Sequence, residues 1–181
     1  MVRLTTKRLI VRQAGLRDVP AIVAFHRLNR NFHRPYEPER PAAFYTEKFW
    51  RETVVSNQRS ARRRQNLLLN VFLGKKVIGI IAFNSIGLGA FRSCDLGYML
   101  DKGSQGQGYM REALEAAIAY VFEVKNLHRI AAAHLLKNRR SEKLLEGLGF
   151  ARIGMAPKYL QIAGRWQDHV LRQRINPRWR P

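Results

Sequence analysis

Gln105-Gly106-Gln107-Gly108-Tyr109-Met110, running straight into Arg111-Glu112-Ala113-Leu114, decides how this chain is read. Two glycines stand where a loop becomes a helix. Behind them Met110, Ala113, Leu114, Ala117, Ile118, Val121 and Phe122 recur at three- and four-residue spacing, the mark of one buried helical face. A helix starts with backbone N–H groups that have no partner inside it, and its dipole is positive at that end. A glycine-rich loop feeding such an end is a device for holding phosphate. The expectation is a seat for the pyrophosphate of a nucleotide-bearing cofactor. Spacing excludes two common versions of that device. No G-x-x-x-x-G-K-[ST] string is present, and Gly106-Gln107-Gly108 lacks the third glycine of G-x-G-x-x-G and lies mid-chain.

Working outward from the loop, Phe91 to Leu100 predicts the strand before it, and Asn66–Leu73 with Lys76–Asn84 around Gly74-Lys75 predicts a β-hairpin. Farther back, Lys7–Arg12 predicts an opening strand. Asp18 and Pro20 then start a helix reaching about Leu28. Asn29 to Pro41 holds prolines at 35, 38 and 41 and reads as a loop. Ala42 to about Arg59 reads as a second helix ended by Arg62-Arg63-Arg64. Downstream of the loop, His128–Leu135 predicts a strand. Asn138 caps a helix that Gly147-Leu148-Gly149-Phe150 ends. Lys158–Ile162 and Trp166–Arg174, joined at Ala163-Gly164, predict a last hairpin, and Asn176 to Pro181 a short basic tail. The order gives an α/β or α+β fold: one mixed, mostly antiparallel sheet of about seven strands flanked by helices. A right-handed β-α-β crossover spans the glycine loop.

The 181 residues suffice for one domain with a full core, expected to cover 1–181. Hydrophobic residues at 46% argue against disorder. A single cysteine, Cys94, excludes an internal disulfide framework and suits a reducing compartment. No apolar run approaches the roughly 20 residues of a membrane helix, and no signal-peptide pattern opens the chain, so a cytoplasmic location without membrane contact is expected. The net charge of +20 is uneven. Residues 1–64 carry 15 Lys and Arg against 5 Asp and Glu, residues 65–135 carry 7 against 5, and residues 136–181 carry 11 against 3. The flanks around a nearly neutral middle either attract polyanions or are simply a basic surface. The Arg62–Arg64 triplet has the same two readings, since a basic cluster also complements a helix C-terminus.

Gln105-x-x-Gly108-x-Met110, after Asp95-Leu96-Gly97-Tyr98-Met99-Leu100, resembles the acetyl-CoA-binding motif of the GNAT acetyltransferases, [QR]-x-x-G-x-[GA], with Met110 departing at the last position. Asn138-x-x-Ser141 and Leu144-Leu145-x-x-Leu148-Gly149-Phe150 resemble the last helix of that family. Leu4-Thr5-Thr6-x-Arg8-Leu9, Asn29-Arg30-x-Phe32-x-x-Pro35-x-Glu37-Pro38, His128-Arg129-Ile130, Asn138-x-Arg140-Ser141 and Gly164-x-Trp166-x-Asp168-His169-Val170-Leu171 narrow the likeness. Together they resemble the ribosomal-protein-alanine N-acetyltransferase branch, from about residue 3 to 180. The resemblance implies a GNAT fold and acetyl-CoA as co-substrate, with no metal. The acceptor it implies is the N-terminal amine of a protein, specifically a ribosomal one. It implies cofactor contacts from Met99, Leu100, Gln105, Gly106, Gln107, Gly108, Tyr109, Met110, Asn138 and Ser141, and acceptor contacts from Asn29, Arg30, Phe32, Tyr36, Glu37, Tyr159 and Trp166. Arg111, Arg139 and Arg140 either meet phosphates or stay solvated.

Attack on a thioester needs a neutral amine, and an α-amino group with a pKa near ~7.7–8.0 is mostly protonated at neutral pH. Asp95, in the strand before the loop, is the first candidate base if burial raises its pKa; the alternative is an ion pair with an arginine. Glu37 is the rival base, or the group that binds the acceptor's ammonium. Ser141 is the candidate proton donor to the CoA sulfur, or an ordinary serine in a first helical turn. Tyr159 is a substitute donor or packing. Asn138 bonds the pantetheine arm, caps the helix, or both. A lone Cys94 reads as buried and inert rather than as an acetyl carrier, and the histidines at 26, 33, 128, 134 and 169 show no metal spacing. Two rival functions remain: a ribosome- or RNA-associated binding protein without catalysis, and an acetyltransferase of a small amine. The charge opposes a polycationic acceptor.

Overall fold

The computed structural model describes residues 1–180; the last residue of the expected tail, Pro181, lies outside them. Eight strands form one sheet in the order β1-β2-β3-β4-β5-β6-β8-β7. They are β1 (Arg3–Thr5), β2 (Ile10–Arg12), β3 (Leu67–Leu73), β4 (Lys76–Gly87), β5 (Ser93–Leu100), β6 (Arg129–Leu135), β7 (Ala151–Ile162) and β8 (Arg165–Ile175). Every neighbouring pair is antiparallel except β5 and β6, which are parallel and joined by the expected crossover. The helices are α1 (Val19–Leu28), the single turn α2 (Arg30–His33), α3 (Glu47–Arg62), α4 (Tyr109–Glu123) and α5 (Arg139–Gly147).

The sheet separates two cores. On one face Val19, Ile22, Val23 and Phe25 of α1 and Trp50 and Val54 of α3 pack on Phe72, Val77 and Ile80. On the other, the apolar stripe of α4 and Leu145 of α5 cover Leu69, Val71, Ile81, Phe83, Cys94 and Leu96. The alternation of β5 follows: Cys94, Leu96, Tyr98 and Leu100 turn toward α4 and α5, while Asp95, Gly97 and Met99 turn the other way.

Several boundaries differ from expectation for visible reasons. The opening strand is confined to Ile10–Arg12, and an extra strand precedes it, giving eight rather than seven. Between them Thr6 and Arg8 leave the ladder to bond Glu112 of α4. The Asn29–Pro41 segment is a loop that contains α2 and a 3-10 turn at Arg34–Tyr36. The second helix begins only at Glu47, because Thr46 is extended and its side chain accepts the Phe49 N–H as an N-cap. The preceding Ala42–Tyr45 is a 3-10 turn. The strand before the glycine loop starts at Ser93 instead of Phe91, and β7 starts at Ala151, well before Lys158. Helix α5 is held by a buried Arg172, which donates to His134 Nε2 (3.1 Å), the Phe150 carbonyl (3.2 Å) and Glu146 (2.7 Å).

Candidate active site

The parallel pairing of β5 with β6 ends at Leu96–Ala132, so β5 runs free of β6 from Gly97 to Leu100. This opening is one end of a cleft of about 590 Å³. Its walls come from the segment around α2 (Phe32, His33, Tyr36, Glu37), from β5 (Tyr98, Met99, Leu100), from the glycine loop and from the start of α5 (Asn138, Ser141).

The loop wall is backbone. Gly106 and Gly108 both have φ of +76°, a left-handed conformation that costs a residue with a Cβ about 1–2 kcal/mol. Gly108 is the N-cap of α4. Among the described residues, the N–H groups of Gly106, Gln107, Gly108, Tyr109 and Met110 find no acceptor, and they sit at the positive end of a 15-residue helix. The loop is clamped from outside. Arg8 donates to the Gln107 carbonyl (3.0 Å) and to Glu112 (2.6 Å), and the Thr6 hydroxyl donates to Glu112 (2.6 Å). Burial works to raise the Glu112 pKa, but these bonds outweigh it and hold the carboxyl below its usual range. The Gln107 side chain turns back to the Gly103 carbonyl and does not line the cleft.

The strand edge supplies the second backbone feature. The Asp101 N–H is taken by Ile78 of β4 (2.8 Å), so by alternation the N–H and carbonyl of Leu100 point away from β4 into the opening. The carbonyl is occupied: His33 Nε2 (2.9 Å) and Gln105 Nε2 (3.1 Å) both donate to it. Met99 contributes backbone to the cleft with its N–H turned to β4.

Across the opening, Ser141 Oγ and the Tyr98 hydroxyl lie 2.6 Å apart. Burial pushes the Tyr98 phenol up to about 12, against the opposing pull of the Ser141 bond. Asn138 caps α5 by accepting the Ser141 N–H (3.2 Å), so it aims Ser141 while itself lining the cleft. Glu37 is buried, lines the cleft and pairs with Arg40 at 3.2 Å. The turn between β7 and β8 is tied to the same segment, with the Ala163 N–H donating to the Glu37 carbonyl (3.0 Å). Lys137, Arg139, Arg140, Lys143 and Arg111 rim the cleft near the loop. Arg139 pairs with Glu142 and Arg111 with Glu115, and the Arg140 guanidinium lies 5.9 Å from the Phe32 ring, bridging two walls.

Several expected site residues lie elsewhere. Asp95 is exposed, on the strand face opposite Tyr98, and does not line the cleft, so the burial that its role as base required is missing. Asn29 is buried with its amide fully used: Nδ2 donates to Phe25 and Asp101, and Oδ1 accepts from Lys102. It positions the turn before the loop instead of facing an acceptor. Arg30 lies over the Tyr45 ring at 4.7 Å, outside the cleft. Tyr159 packs near His169 and Trp166 is 62% exposed, both away from the cleft lining. Burial pushes the Cys94 thiol up to about 12, which leaves it inert as a nucleophile. No cluster of three or more metal-ligating side chains occurs among the described residues. Among the described residues, no helix is long and apolar enough to cross a membrane. Tyr98, His33, Lys137 and Lys143 were not expected at the site. Strand parity alone signals Tyr98, because it shares a face with Leu96 and Leu100.

The geometry has close counterparts among known proteins. An acetyltransferase (GNAT) domain model matches residues 8–151. The [ribosomal protein uS5]-alanine N-acetyltransferase of Escherichia coli K12 is 37% identical over 99% of this chain and 94% of its own length. The crystal structure of ribosomal-protein-S5-alanine acetyltransferase from Vibrio fischeri superposes with a TM-score of 0.96 at 34% identity, covering all of both chains. RimJ of Mycobacterium smegmatis, solved in complex with a CoA disulfide, follows at a TM-score of 0.88 and 25% identity, over 92% of this chain and 81% of that one. A match across most of the chain, with the unpaired loop amides and the opened strand edge inside it, settles the family: the chain belongs to the GNAT acetyltransferases.

Proposed function

We propose that this chain transfers the acetyl group of acetyl-CoA to the N-terminal amine of a ribosomal protein that begins with alanine. The observation that carries the reading is the continuity of one cleft, which joins an anion-binding loop, a free strand edge, a buried carboxylate and a hydroxyl pair. The choice of acceptor rests on the near full-length likeness to the two alanine acetyltransferases. Such an acceptor places the reaction in the cytoplasm.

The loop amides and the rim cations Lys137, Arg140 and Lys143 take the phosphates of acetyl-CoA. The Leu100 N–H takes the thioester carbonyl and stabilises the oxygen as negative charge grows on it. Glu37 receives the α-ammonium group, and its carboxylate or a water beside it accepts the proton that must leave before attack. The amine nitrogen then bonds the carbonyl carbon, the C–S bond breaks, the departing sulfur takes a proton from Ser141, and the second proton on the nitrogen passes to water. Tyr98, which burial keeps protonated at working pH, replaces that proton and regains its own from water. Holding both substrates in one cleft supplies much of the acceleration.

The test is mass spectrometry of alanine- and serine-starting peptides incubated with the protein and acetyl-CoA. The expected result is one acetyl group added to the alanine peptide at its terminus. Measured CoA binding without acetylation of any peptide or ribosomal protein would overturn the reading.

A further inference from the structure

A second cavity, of about 410 Å³, lies at the opposite end of α4 from the glycine loop. Helix α4 spans 15 residues, so about 22 Å separate the two sites. Arg3 from β1, Arg62 from α3 and Lys125 just after α4 line it, beside Gln13, Gln58 and Tyr120, and no lining residue is acidic. None of Arg3, Arg62, Arg63, Arg64 and Lys125 makes an ion pair among the described residues. The walls are set in advance: Gln13 Oε1 accepts the Val2 N–H (2.9 Å), and Gln58 Nε2 donates to the Ala14 carbonyl (3.0 Å).

Burial first, and then the charge of the nearby Arg64, hold the Lys125 pKa below its usual range. Arg64 itself stands out. It occupies the left-handed position that closes α3, with φ of 57°, its N–H donating to Ala61 and the next residue's N–H to Ser60. Glycine is the favoured residue in such a helix-ending motif. An arginine there keeps a charge near Lys125 at a cost to the backbone.

We propose that this cavity, with Arg3, Arg62 and Lys125 in its wall and Arg64 beside Lys125, binds the phosphate backbone of an RNA strand. Spaced cations without acids are the electrostatic footprint of a polyphosphate partner. Tyr120, half-buried in the wall, has the Lys125 ammonium over its ring at 5.8 Å, which holds that cation at the cavity. The concave form suits a strand better than a flat anionic membrane. RNA held at this end leaves the catalytic cleft open, so one molecule can be anchored to RNA while its cleft takes a chain terminus. The binding does not depend on which terminus is acetylated. The ribosomal acceptor of the proposed function explains only why RNA would be at hand.

The test titrates the full chain with a fluorescent single-stranded RNA of about 12 nucleotides over a range of salt, with acetylation of a free alanine peptide followed in parallel. Arg62→Gln with Lys125→Gln is expected to weaken RNA binding about tenfold at about 0.1 M salt, and to flatten the log–log salt slope by about 1.4, roughly 0.7 per lost contact. Peptide acetylation should stay within about twofold, because the cavity lies a helix length from the chemistry. Arg64→Gly should weaken RNA binding while keeping or raising the melting midpoint, which separates lost binding from lost folding. Three results would overturn the proposal: no RNA binding by the unaltered protein, equal loss from the exposed pair Arg152→Gln with Arg165→Gln, or binding of inorganic phosphate that RNA does not displace. Loss of peptide acetylation with RNA binding intact would count against the proposed function instead.

Discussion

On one side of the cleft, Gly106 and Gly108 leave their N–H groups bare, and every contact they offer comes from the main chain of a six-residue stretch. On the other side, Glu37 comes from the segment after α2, Tyr98 from β5 and Ser141 from α5, with the turn at Ala163 pressed against the back of Glu37. The first wall needs a conformation that glycine tolerates and a helix that follows it. The second needs the whole sheet, because its groups meet only after β5 leaves β6 and Arg172 fixes α5. A donor site built from backbone is compatible with many acceptors. An acceptor site built from converging side chains is where selectivity can be set.

If the two walls act separately, variants should sort cleanly into two kinds. The largest effect is expected at the hydroxyl pair. Ser141→Ala should lower kcat about 100-fold or more, with CoA affinity little changed, as befits loss of a general acid. Steady-state kinetics beside CoA titration checks this, and full turnover would remove Ser141 from the mechanism. The pH profile sharpens the same point. Burial raises the Tyr98 pKa to about 12, which favours its neutral form, so the phenol keeps its proton as pH rises. The rate at low peptide concentration should climb to about pH 8, as the amine of pKa ~7.7–8.0 loses its proton, and then level off. A descending limb near about pH 9–10 that vanishes in Tyr98→Phe would contradict this, because an ordinary phenol titrates there.

Next in size is the loop. Gly106→Val with Gly108→Val forces two β-branched residues into left-handed backbone at about 1–2 kcal/mol each, so CoA should bind on the order of 100-fold more weakly. Calorimetric titration with CoA measures this, and the peptide KM at saturating acetyl-CoA should stay put. Glu37→Gln is the mirror experiment. It should raise the peptide KM about tenfold through loss of a charge-assisted contact, and leave CoA affinity unchanged. A variant that moved both constants together would break the distinction between the walls.

That distinction also explains what was legible in the sequence. The loop, the helix behind it and the parallel crossover follow from local spacing, and they are found where spacing puts them. Ser141 and Glu37 could be named from resemblance, yet their shared cleft could not be derived from it. Asp95 stays out of the cleft because it differs in parity from Tyr98 and lies where β5 is still paired to β6, before the opening begins. Asn29 was recognisable as special but not in kind. Its amide spans from Phe25 to Asp101, a partner 72 residues away that no local pattern reveals. Thr6 and Arg8 similarly gain their meaning only from Glu112, more than 100 residues on.

The smallest effect belongs to the turn that backs the acceptor wall. Ala163 and Gly164 have φ of 48° and 75°, the arrangement of a tight hairpin turn with both central residues left-handed. A Cβ on Gly164 would stand 2.9 Å from Glu39 Oε1. Gly164→Ala must therefore strain the turn and push the Glu39 carboxylate aside, two residues from Glu37. The Ala163 N–H bond to the Glu37 carbonyl is the link by which the disturbance reaches the cleft. The peptide KM should rise about threefold, an effect below about 1 kcal/mol, while kcat and CoA affinity stay constant. Ala163→Asn places a residue favoured at that position of such a turn, so it should raise the melting midpoint without moving the peptide KM. An unchanged KM in Gly164→Ala, with the strain visible as a lower melting midpoint, would mean that the turn supports the fold and not Glu37. The acceptor wall would then owe its shape to the Arg40 pairing and the α2 segment alone.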